Sequence, residues 1–431
     1  MHALQELASR KPTPLRLADM YKYAAGGDAN QRIYNAQFLH NELPIRIAQR
    51  AVDLLTLPHG LNETEPIRNV AHVYLRYLET FQRIPTPTNK QQEEAFTDVL
   101  QSIVLDRRNI PTAIARGINS WRDERREDLD PTKLQDMENA LYRFFTARVG
   151  LRFLTEHHIL SSPQRSQTST LRDDHIAPDT KDLGCIQTKC DPLSQVRMVA
   201  DKVTKQTMDF YGVCPEIIIL DSSPKDKPGF TYVPHHLQYM MAELLKNSCR
   251  ATVCKHRSSG SLPPIRVVVV SGAEDVSIKI ADRGGGVPRS TMKQIWKFAH
   301  STADKDEDDS DFGTDEISGA HIRGFGLPLA RIYARYFGGE LTLKSMEGYG
   351  LDAYLYLPRL GDACENLPPN VSASPGERDS TPRARGSRRS FSTSTHRPMP
   401  MAVSRVNKRS NLQEDTANLI LCVLESRALC R

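Results

Sequence analysis

The sequence predicts an α+β protein with an N-terminal antiparallel helical bundle, a C-terminal α/β sandwich domain and a disordered basic tail. Apolar residues recur at spacings of three and four from about residue 33 to 160, which is typical of packed helices. Short β-rich runs begin only after residue 215, and no sustained apolar periodicity follows residue 362. The predicted units are residues 1–165 for the bundle, 166–185 for a linker, 186–362 for the α/β domain and 363–431 for the tail.

Composition narrows the class of protein. Of the 431 residues, 39% are hydrophobic and 25% are charged, as in soluble globular proteins. The longest apolar runs, such as residues 267–270, are far too short to span a bilayer, so we expect no membrane insertion. The formal net charge is +5, and residues 361–431 hold 11 Lys/Arg against 7 Asp/Glu. Most of the excess charge therefore lies in the tail, and we expect no nucleic-acid partner for the folded body.

Residues 33–160 are predicted to form four or more long helices. Apolar positions follow helical spacing at Leu43, Ile47 and Leu54, and again through residues 70–81. Proline, asparagine and aspartate interrupt the pattern, as in Pro85-Thr-Pro87. Long helices with short connections pack as an antiparallel bundle.

A short motif in the first of these helices has a functional and a structural interpretation. His40-Asn-Glu-Leu-Pro44 is similar to the phospho-accepting histidine box of sensor kinases. In that box, however, the acid follows the histidine directly and the proline comes one place later. The spacing therefore favours a structural role for His40 and leaves a histidine kinase as a rival interpretation.

The α/β domain begins after a Ser-, Thr- and Asp-rich stretch over residues 161–184, which is typical of a linker. A helix over residues 192–211 and a short strand over residues 216–220 are predicted next. Runs at 265–270 and 276–281 are joined by a short Gly-containing segment, which predicts a β-hairpin.

Residues 235–252, between that strand and the hairpin, predict an amphipathic helix with two chemically different faces. At 100° per residue, Tyr239, Glu243, Asn247 and Arg250 share one side, and apolar residues lie on the other. A carboxylate, a carboxamide and a guanidinium in one row supply a proton acceptor, a neutral ligand for a hard cation and a phosphate partner. An ordinary polar helix surface is the alternative for this stretch taken alone.

The second strand of the hairpin ends at Asp282-Arg-Gly-Gly-Gly286. Glycines here let the backbone approach a planar ligand without a Cβ clash. A carboxylate at this point can accept a hydrogen bond from an exocyclic amine, such as that of adenine. Taken alone, Asp-x-Gly is also common turn chemistry.

A polar stretch and a glycine-containing turn come next. Residues 299–322 include six acids between Asp304 and Asp311, which indicates plain disorder or a mobile lid over a ligand. Arg323-Gly-Phe-Gly-Leu-Pro328 then starts a helix predicted to run to residue 337. Such a turn presents free N–H groups and the positive end of the helix dipole to phosphates. Two strands complete the predicted sheet, at residues 340–345 and 351–357.

The ordered set of these motifs resembles a known fold. Glu243-x3-Asn247, then Asp282-x-Gly284-x-Gly286, then Gly324-x-Gly326-Leu327 is similar to the Bergerat-type ATPase of gyrase, sensor histidine kinases and mismatch-repair proteins. Further stretches resemble the mitochondrial 2-oxo acid dehydrogenase kinases, which are the pyruvate dehydrogenase kinases and the branched-chain 2-oxo acid dehydrogenase kinase. The resemblance covers roughly residues 13–362, and the stretches that carry it are residues 41–46, 110–117, 243–252, 282–288, 300–303 and 345–350.

This resemblance implies an ATP-dependent protein serine kinase of the mitochondrial matrix that uses Mg²⁺. Glu243 would be the general base for the substrate serine, Asn247 the magnesium ligand and Arg250 part of the phosphate environment. Asp282 would bind adenine. The full implied set of nucleotide-binding residues is Glu243, Lys246, Asn247, Arg250, Asp282, Gly284, Gly286, Ser301, Thr302, Arg323, Gly324, Phe325, Gly326 and Leu327.

The resemblance also implies partners. The substrate would be the E1 alpha subunit of the pyruvate dehydrogenase complex, which phosphorylation inactivates, with the lipoyl domain of the E2 core as a second partner. The assembly would be a homodimer or a related heterodimer. Tyr239 is the residue expected in the branched-chain kinase, so that kinase is the first alternative. A histidine kinase and an ATP-binding scaffold with weak activity are the others.

Three features depart from the family pattern. Ile322 stands where a further glycine is usual, two places before Gly324. Leu351 replaces the threonine of the usual Gly-Thr-Asp in the last hairpin, which removes a hydroxyl expected near adenine. The two tryptophans, Trp121 and Trp296, lie in the body, so the Asp-Trp tail element of pyruvate-type kinases is absent from this sequence.

Overall fold

The structure is a computed structural model that describes residues 2–25, 29–106, 109–124, 130–162, 182–224, 229–258, 260–298, 324–359 and 364–368. Several predicted features lie outside the described residues. These are most of the linker, the acidic stretch with Ser301 and Thr302, Ile322 and Arg323, and the tail from residue 369 onwards.

α-Helices make up most of the described part of the N-terminal unit. They are α1 (His2–Ser9), α2 (Leu17–Ala25), α3 (Ala29–Leu55), α4 (Glu65–Arg83), α5 (Lys90–Asp106), α6 (Ile110–Glu124) and α7 (Pro131–Leu160). Helix α7 starts where Asp130 accepts a hydrogen bond of 2.9 Å from the Thr132 N–H and Pro131 occupies the first turn. The predicted helical bundle is confirmed, and α1 and α2 extend it at the N-terminus.

Aromatic side chains fill the centre of the bundle. Tyr74, Phe144 and Trp121 are all almost completely buried. The rings of Tyr74 and Phe144 meet edge to face, with their centroids 6.0 Å apart. Trp121 donates its indole N–H to the carbonyl oxygen of His59 at 2.8 Å, so its polar atom is satisfied.

His40 takes part in this packing. Its Nε2 lies 2.9 Å from the carbonyl oxygen of Ile84, and its ring packs against Phe96 with centroids 6.0 Å apart. These contacts fit the structural role that the spacing of the motif favours.

The C-terminal unit is a five-stranded sheet covered by helices. Its strands are β3 (Ile217–Asp221), β4 (Ile265–Ser271), β5 (Asp275–Ala281), β6 (Glu340–Met346) and β7 (Gly350–Pro358). They lie in the order β3-β4-β5-β7-β6, and only the β3–β4 pair is parallel. The helices are α8 (Pro192–Tyr211), α9 (Pro234–His256) and α10 (Gly326–Tyr336). The predicted hairpin, helices and closing strands are all confirmed.

Helix α9 is the central helix of this unit. Leu237, Met241 and Leu245 are buried along one side of it, as the predicted apolar face requires. The helix packs against α8, α10 and β5, so its other side is held at the end of the hairpin strands. That placement brings the polar row of α9 next to Asp282.

Two segments differ from the predicted boundaries. Strands β1 (Asp182–Leu183) and β2 (Ile186–Gln187) form a small hairpin across the predicted boundary between the linker and the α/β domain, and the N–H of Cys185 donates to Nδ1 of His157 at 3.3 Å. Gln187, the last residue of β2, also forms a β-bridge with Tyr232. Residues 182–185 therefore belong to the folded body, because their hairpin contacts His157 in one unit and Tyr232 in the other.

The predicted tail boundary is wrong for residues 364–368. The Glu365 side chain is buried and bonds to Arg46 on α3 and to Tyr336 on α10. Composition alone placed this segment in the tail, but one buried carboxylate ties it to both units. None of the described helices is long and apolar enough to cross a membrane.

Candidate active site

A cleft of about 580 Å³ lies between α9, the end of β5 and the start of β7. Its lining combines polar and apolar side chains. The lining residues are Leu244, Asn247, Ser248, Arg250, Ala251, Cys254, Lys255, Arg257, Asp282, Gly284, Gly286, Val287, Ile295, Leu327, Leu343, Leu351 and Ala353. Six predicted site residues, Asn247, Arg250, Asp282, Gly284, Gly286 and Leu327, therefore meet around one cavity.

Asp282 is the buried acid of the cleft. Its Oδ1 accepts hydrogen bonds from the N–H groups of Gly284 at 2.9 Å and Leu351 at 3.2 Å. Its Oδ2 accepts a hydrogen bond from Oγ of Ser248 at 3.0 Å. Burial raises the pKa of Asp282, and the three hydrogen bonds oppose this shift because they stabilise the carboxylate. The side chain is thus held in one orientation.

The turn after Asp282 fits the predicted need for glycine. Gly286 has a φ of 66°, a conformation that side-chain-bearing residues rarely adopt. A Cβ at Gly284 would collide with the backbone and side chain of Ala251 on α9. The glycines therefore permit close packing of this turn on the helix, in addition to the close approach to a ligand that the sequence predicts.

Glu243 lies one turn before Asn247 on α9. Its carboxylate forms an ion pair with Nζ of Lys246 at 2.5 Å, and both side chains are largely buried. A Cβ at Gly326 would collide with the Glu243 carboxylate, so this acid touches the first residue of α10. The predicted base and the predicted phosphate turn are therefore in direct contact.

The turn before α10 is anchored to the bundle by aromatic rings. Phe325 packs against Phe145 of α7 and against Phe298, with centroid distances of 5.7 and 5.4 Å. Phe298 and Phe145 stack at 4.9 Å. Phe298 and Gly324 are the described residues on either side of the acidic stretch. Phe298 and Phe325 thus both pack against one bundle helix.

Glu138 of α7 also contacts Phe298. Its Oε2 accepts a hydrogen bond of 2.8 Å from the N–H of Phe298, and Arg122 lies near enough to interact with it electrostatically. Burial raises the pKa of Glu138 to about 7. Sequence reasoning missed this carboxyl because nothing in its neighbourhood along the chain marks it.

The remaining predicted residues are placed as follows. Tyr239, on the same side of α9 as Glu243, is buried, with its ring centroid 4.8 Å from that of Tyr333. Ser301, Thr302 and Arg323 lie outside the described residues. Ser248, Lys255 and Leu343 line the cleft without having been predicted, because they carry no motif of their own.

Comparison with known proteins identifies the family. The family described as mitochondrial branched-chain alpha-ketoacid dehydrogenase kinase matches residues 14–187. The family described as histidine kinase-, DNA gyrase B-, and HSP90-like ATPase matches residues 232–361. A pyruvate dehydrogenase (acetyl-transferring) kinase of Arabidopsis thaliana is 36% identical over 364 residues, which cover 83% of this chain and 93% of the relative. The chain belongs to the mitochondrial 2-oxo acid dehydrogenase kinase family.

Animal relatives of the kinase agree with this assignment. The human pyruvate dehydrogenase kinase isozyme 4 is 31% identical over 85% of this chain and 86% of its own length. The Drosophila melanogaster pyruvate dehydrogenase kinase is 32% identical over 77% of this chain and 79% of its own length. The predicted family and its ATPase-type domain are confirmed, and the cleft of the kinase lies within the ATPase match.

Proposed function

We propose that this kinase transfers the γ-phosphoryl group of ATP to a serine of the E1 alpha subunit of the mitochondrial pyruvate dehydrogenase complex and so inactivates it. The relatives named pyruvate dehydrogenase (acetyl-transferring) kinase match it over most of its length. The observation that carries the proposal is that Asn247, Arg250 and Asp282 line one cleft beside Glu243. One helix therefore brings a base, a cation ligand and a phosphate partner to a pocket that suits a purine.

Asp282 would hold the adenine. Its carboxylate is oriented by three donors, and the apolar side chains of Val287, Ile295 and Leu343 line the same cleft. An exocyclic amine loses its bound water when it enters an apolar pocket. An oriented acceptor there replaces the lost hydrogen bond and so favours a base that carries the amine.

The phosphates would lie towards the start of α10 and the polar row of α9. The backbone N–H groups of residues 324–327 open α10, and a helix start favours anions. Arg250 lines the cleft and would supply a positive charge to the phosphates. Ser301, Thr302 and Arg323 are proposed to contribute to nucleotide binding from the intervening stretch.

Glu243 would be the general base for transfer. The substrate serine oxygen attacks the γ-phosphorus, its proton passes to the Glu243 carboxylate, the bond to the β-phosphate oxygen breaks, and ADP leaves. Lys246 would hold the carboxylate of this base in position, because its Nζ lies 2.5 Å from it.

Asn247 fits the role of a magnesium ligand. Its side chain is exposed at the cleft, and a carboxamide oxygen is a suitable ligand for a hard cation. Bound Mg²⁺ would neutralise phosphate charge during the transfer. The described residues contain no cluster of three or more His, Cys, Asp and Glu side chains that would form a separate metal site.

We infer the setting of the kinase from its family. We propose the mitochondrial matrix as its location, the lipoyl domain of the E2 core as a partner besides E1 alpha, and a homodimer or a related heterodimer as its assembly. We also propose residues 1–165 and 186–362 as its two functional units, extended by the segments 182–185 and 364–368 that pack with them.

The test is phosphorylation of purified E1 proteins with labelled ATP. Acid-stable label on the E1 alpha serine is the expected result. Acid-labile label on the kinase itself would support a histidine kinase instead. ATP binding without label on either protein would support a scaffold.

The branched-chain E1 is the second candidate substrate. Two observations favour it, namely Tyr239 on α9 and the branched-chain description of the family that matches residues 14–187. With both E1 proteins at equal concentration, we expect faster labelling of pyruvate dehydrogenase. Faster labelling of the branched-chain enzyme would reverse the order of the two candidates.

A further inference from the structure

Ser248 contacts the adenine-binding acid but has no role in the motifs described above. It follows Asn247 on α9, is only 4% exposed, and lines the cleft. Its Oγ donates a hydrogen bond of 3.0 Å to Oδ2 of Asp282. This contact joins a helix residue to the end of a strand, 34 residues further along the chain.

The hydrogen bonds of Asp282 leave most of its free acceptor capacity on one oxygen. Oδ1 already accepts two backbone N–H groups, from Gly284 and Leu351. Of the three donors to Asp282, only the Ser248 hydroxyl bonds to Oδ2. Since each carboxylate oxygen offers about two lone-pair sites, Oδ2 is the atom able to receive a ligand donor.

The same contact fixes what Ser248 can offer. A hydroxyl has one proton, and this one is directed to Asp282. What remains on Ser248 is acceptor capacity. Oδ2 of Asp282 and Oγ of Ser248 are then two adjacent acceptors on the wall of one cleft, which matches an amine with two hydrogens and opposes a carbonyl oxygen.

Strand β7 supplies no side-chain hydroxyl at the residue that bonds to Asp282, because that residue is Leu351. Leu351 bonds to Asp282 only through its backbone N–H, and its side chain adds an apolar surface to the cleft. The usual Gly-Thr-Asp of the family would have a hydroxyl at this position, so Ser248 places on the helix a group that the strand lacks.

We propose that Ser248 is a specificity-determining residue that acts with Asp282 to select a 6-aminopurine over a 6-oxopurine nucleotide. This inference rests on the proposed ATP site. It concerns the choice of base and leaves the phosphoryl transfer step to Glu243.

The test compares binding of ADP and IDP to the full chain by calorimetry, since these nucleotides differ at position 6 of the purine. For Ser248→Ala we expect the preference for ADP over IDP to fall about tenfold, because the hydrogen bond from the purine amine to Oγ of Ser248 is lost. For the double variant Ser248→Ala/Leu351→Thr we expect most of the preference to return, because threonine restores a hydroxyl beside Asp282. Melting curves show that each variant is folded.

Three outcomes would overturn the role of Ser248. They are an unchanged ADP preference in Ser248→Ala, equal losses of affinity for both nucleotides, and a double variant that recovers nothing while remaining folded. Absence of ADP binding by the unaltered chain would overturn the proposed nucleotide site as well, so the two failures are distinguishable.

Discussion

Glu365 and Arg46 lie 319 positions apart in sequence and form a buried ion pair, with Oε1 and Nη2 2.5 Å apart. The two side chains are 3% and 4% exposed. Nε of Arg46 also bonds to Glu42 at 2.8 Å, and the hydroxyl of Tyr336 bonds to the second oxygen of Glu365. Burial lowers the pKa of Arg46, but the hydrogen bond and charge of Glu365 outweigh it and raise that pKa overall. The segment 364–368, which follows the last strand, thus links α3 to α10 through Glu365.

The first prediction concerns truncation of the chain before and after the segment 364–368, which carries Glu365. A chain that ends at residue 368 should melt at the same temperature as the full chain. A chain that ends at residue 361 leaves Arg46 and Tyr336 without Glu365 and should lose about 3 kcal/mol of stability, because a buried charge loses its partner. Calorimetric melting of both chains measures the difference. Equal melting temperatures would show that the ion pair contributes nothing.

The buried ion pair of Glu365 corrects the predicted boundary of the disordered tail, which placed residues 363–431 outside the folded body. Composition reports average apolar content, and one carboxylate in a Pro- and Ser-rich stretch does not change that average. Its partner, Arg46, lies in a separate unit, so no local pattern connects them.

Helix α9 and the β4–β5 hairpin, by contrast, were predictable within a few residues. Their apolar periodicity and turn chemistry are local properties of the chain. The positions of Asn247, Asp282 and Leu327 in one cleft were predictable only through the family resemblance. The contact between Ser248 and Asp282 depends on the packing of a helix against a strand end, which one sequence does not specify.

The second prediction tests the proposed base. Glu243→Gln should leave ATP binding within about twofold and slow transfer by about 10²- to 10⁴-fold, because only proton removal from the serine hydroxyl is lost. Single-turnover labelling of E1 and calorimetry separate the two effects. Glu274→Gln, which neutralises an exposed carboxylate, is the matched control and should transfer normally. An unchanged rate for Glu243→Gln would remove Glu243 from the mechanism.

The third prediction tests the proposed magnesium ligand. Asn247→Ala should lower nucleotide affinity about 10- to 100-fold with Mg²⁺ present, because an oxygen ligand of the cation is removed. Without Mg²⁺ the variant and the unaltered chain should bind ATP equally. Asn247→Asp keeps an oxygen at this position and should retain more of the metal dependence. Normal Mg-ATP affinity in the alanine variant would contradict the assignment.

The last prediction concerns how stability depends on pH through Glu138 on α7, which accepts a hydrogen bond from the N–H of Phe298. The folded protein holds the Glu138 carboxyl at a pKa of about 7, above the ordinary value of 4.5, because the group is largely buried. The folded state therefore binds this proton more tightly than the unfolded state does. The resulting stabilisation is complete below pH 4.5 and is lost as the pH rises through 7.

After allowance for partial exposure, this loss should be on the order of 2 kcal/mol. Glu138→Gln keeps an acceptor for the Phe298 N–H but does not titrate, so its denaturation midpoint should change less between pH 5 and pH 8 than that of the unaltered chain. Glu274→Gln again serves as the control and should keep the full pH dependence. If Glu138→Gln and the unaltered chain show the same slope, the carboxyl is ionised in the folded protein throughout this range. Its contact with Phe298 would then be a charged hydrogen bond, and burial would not be the dominant influence on its pKa.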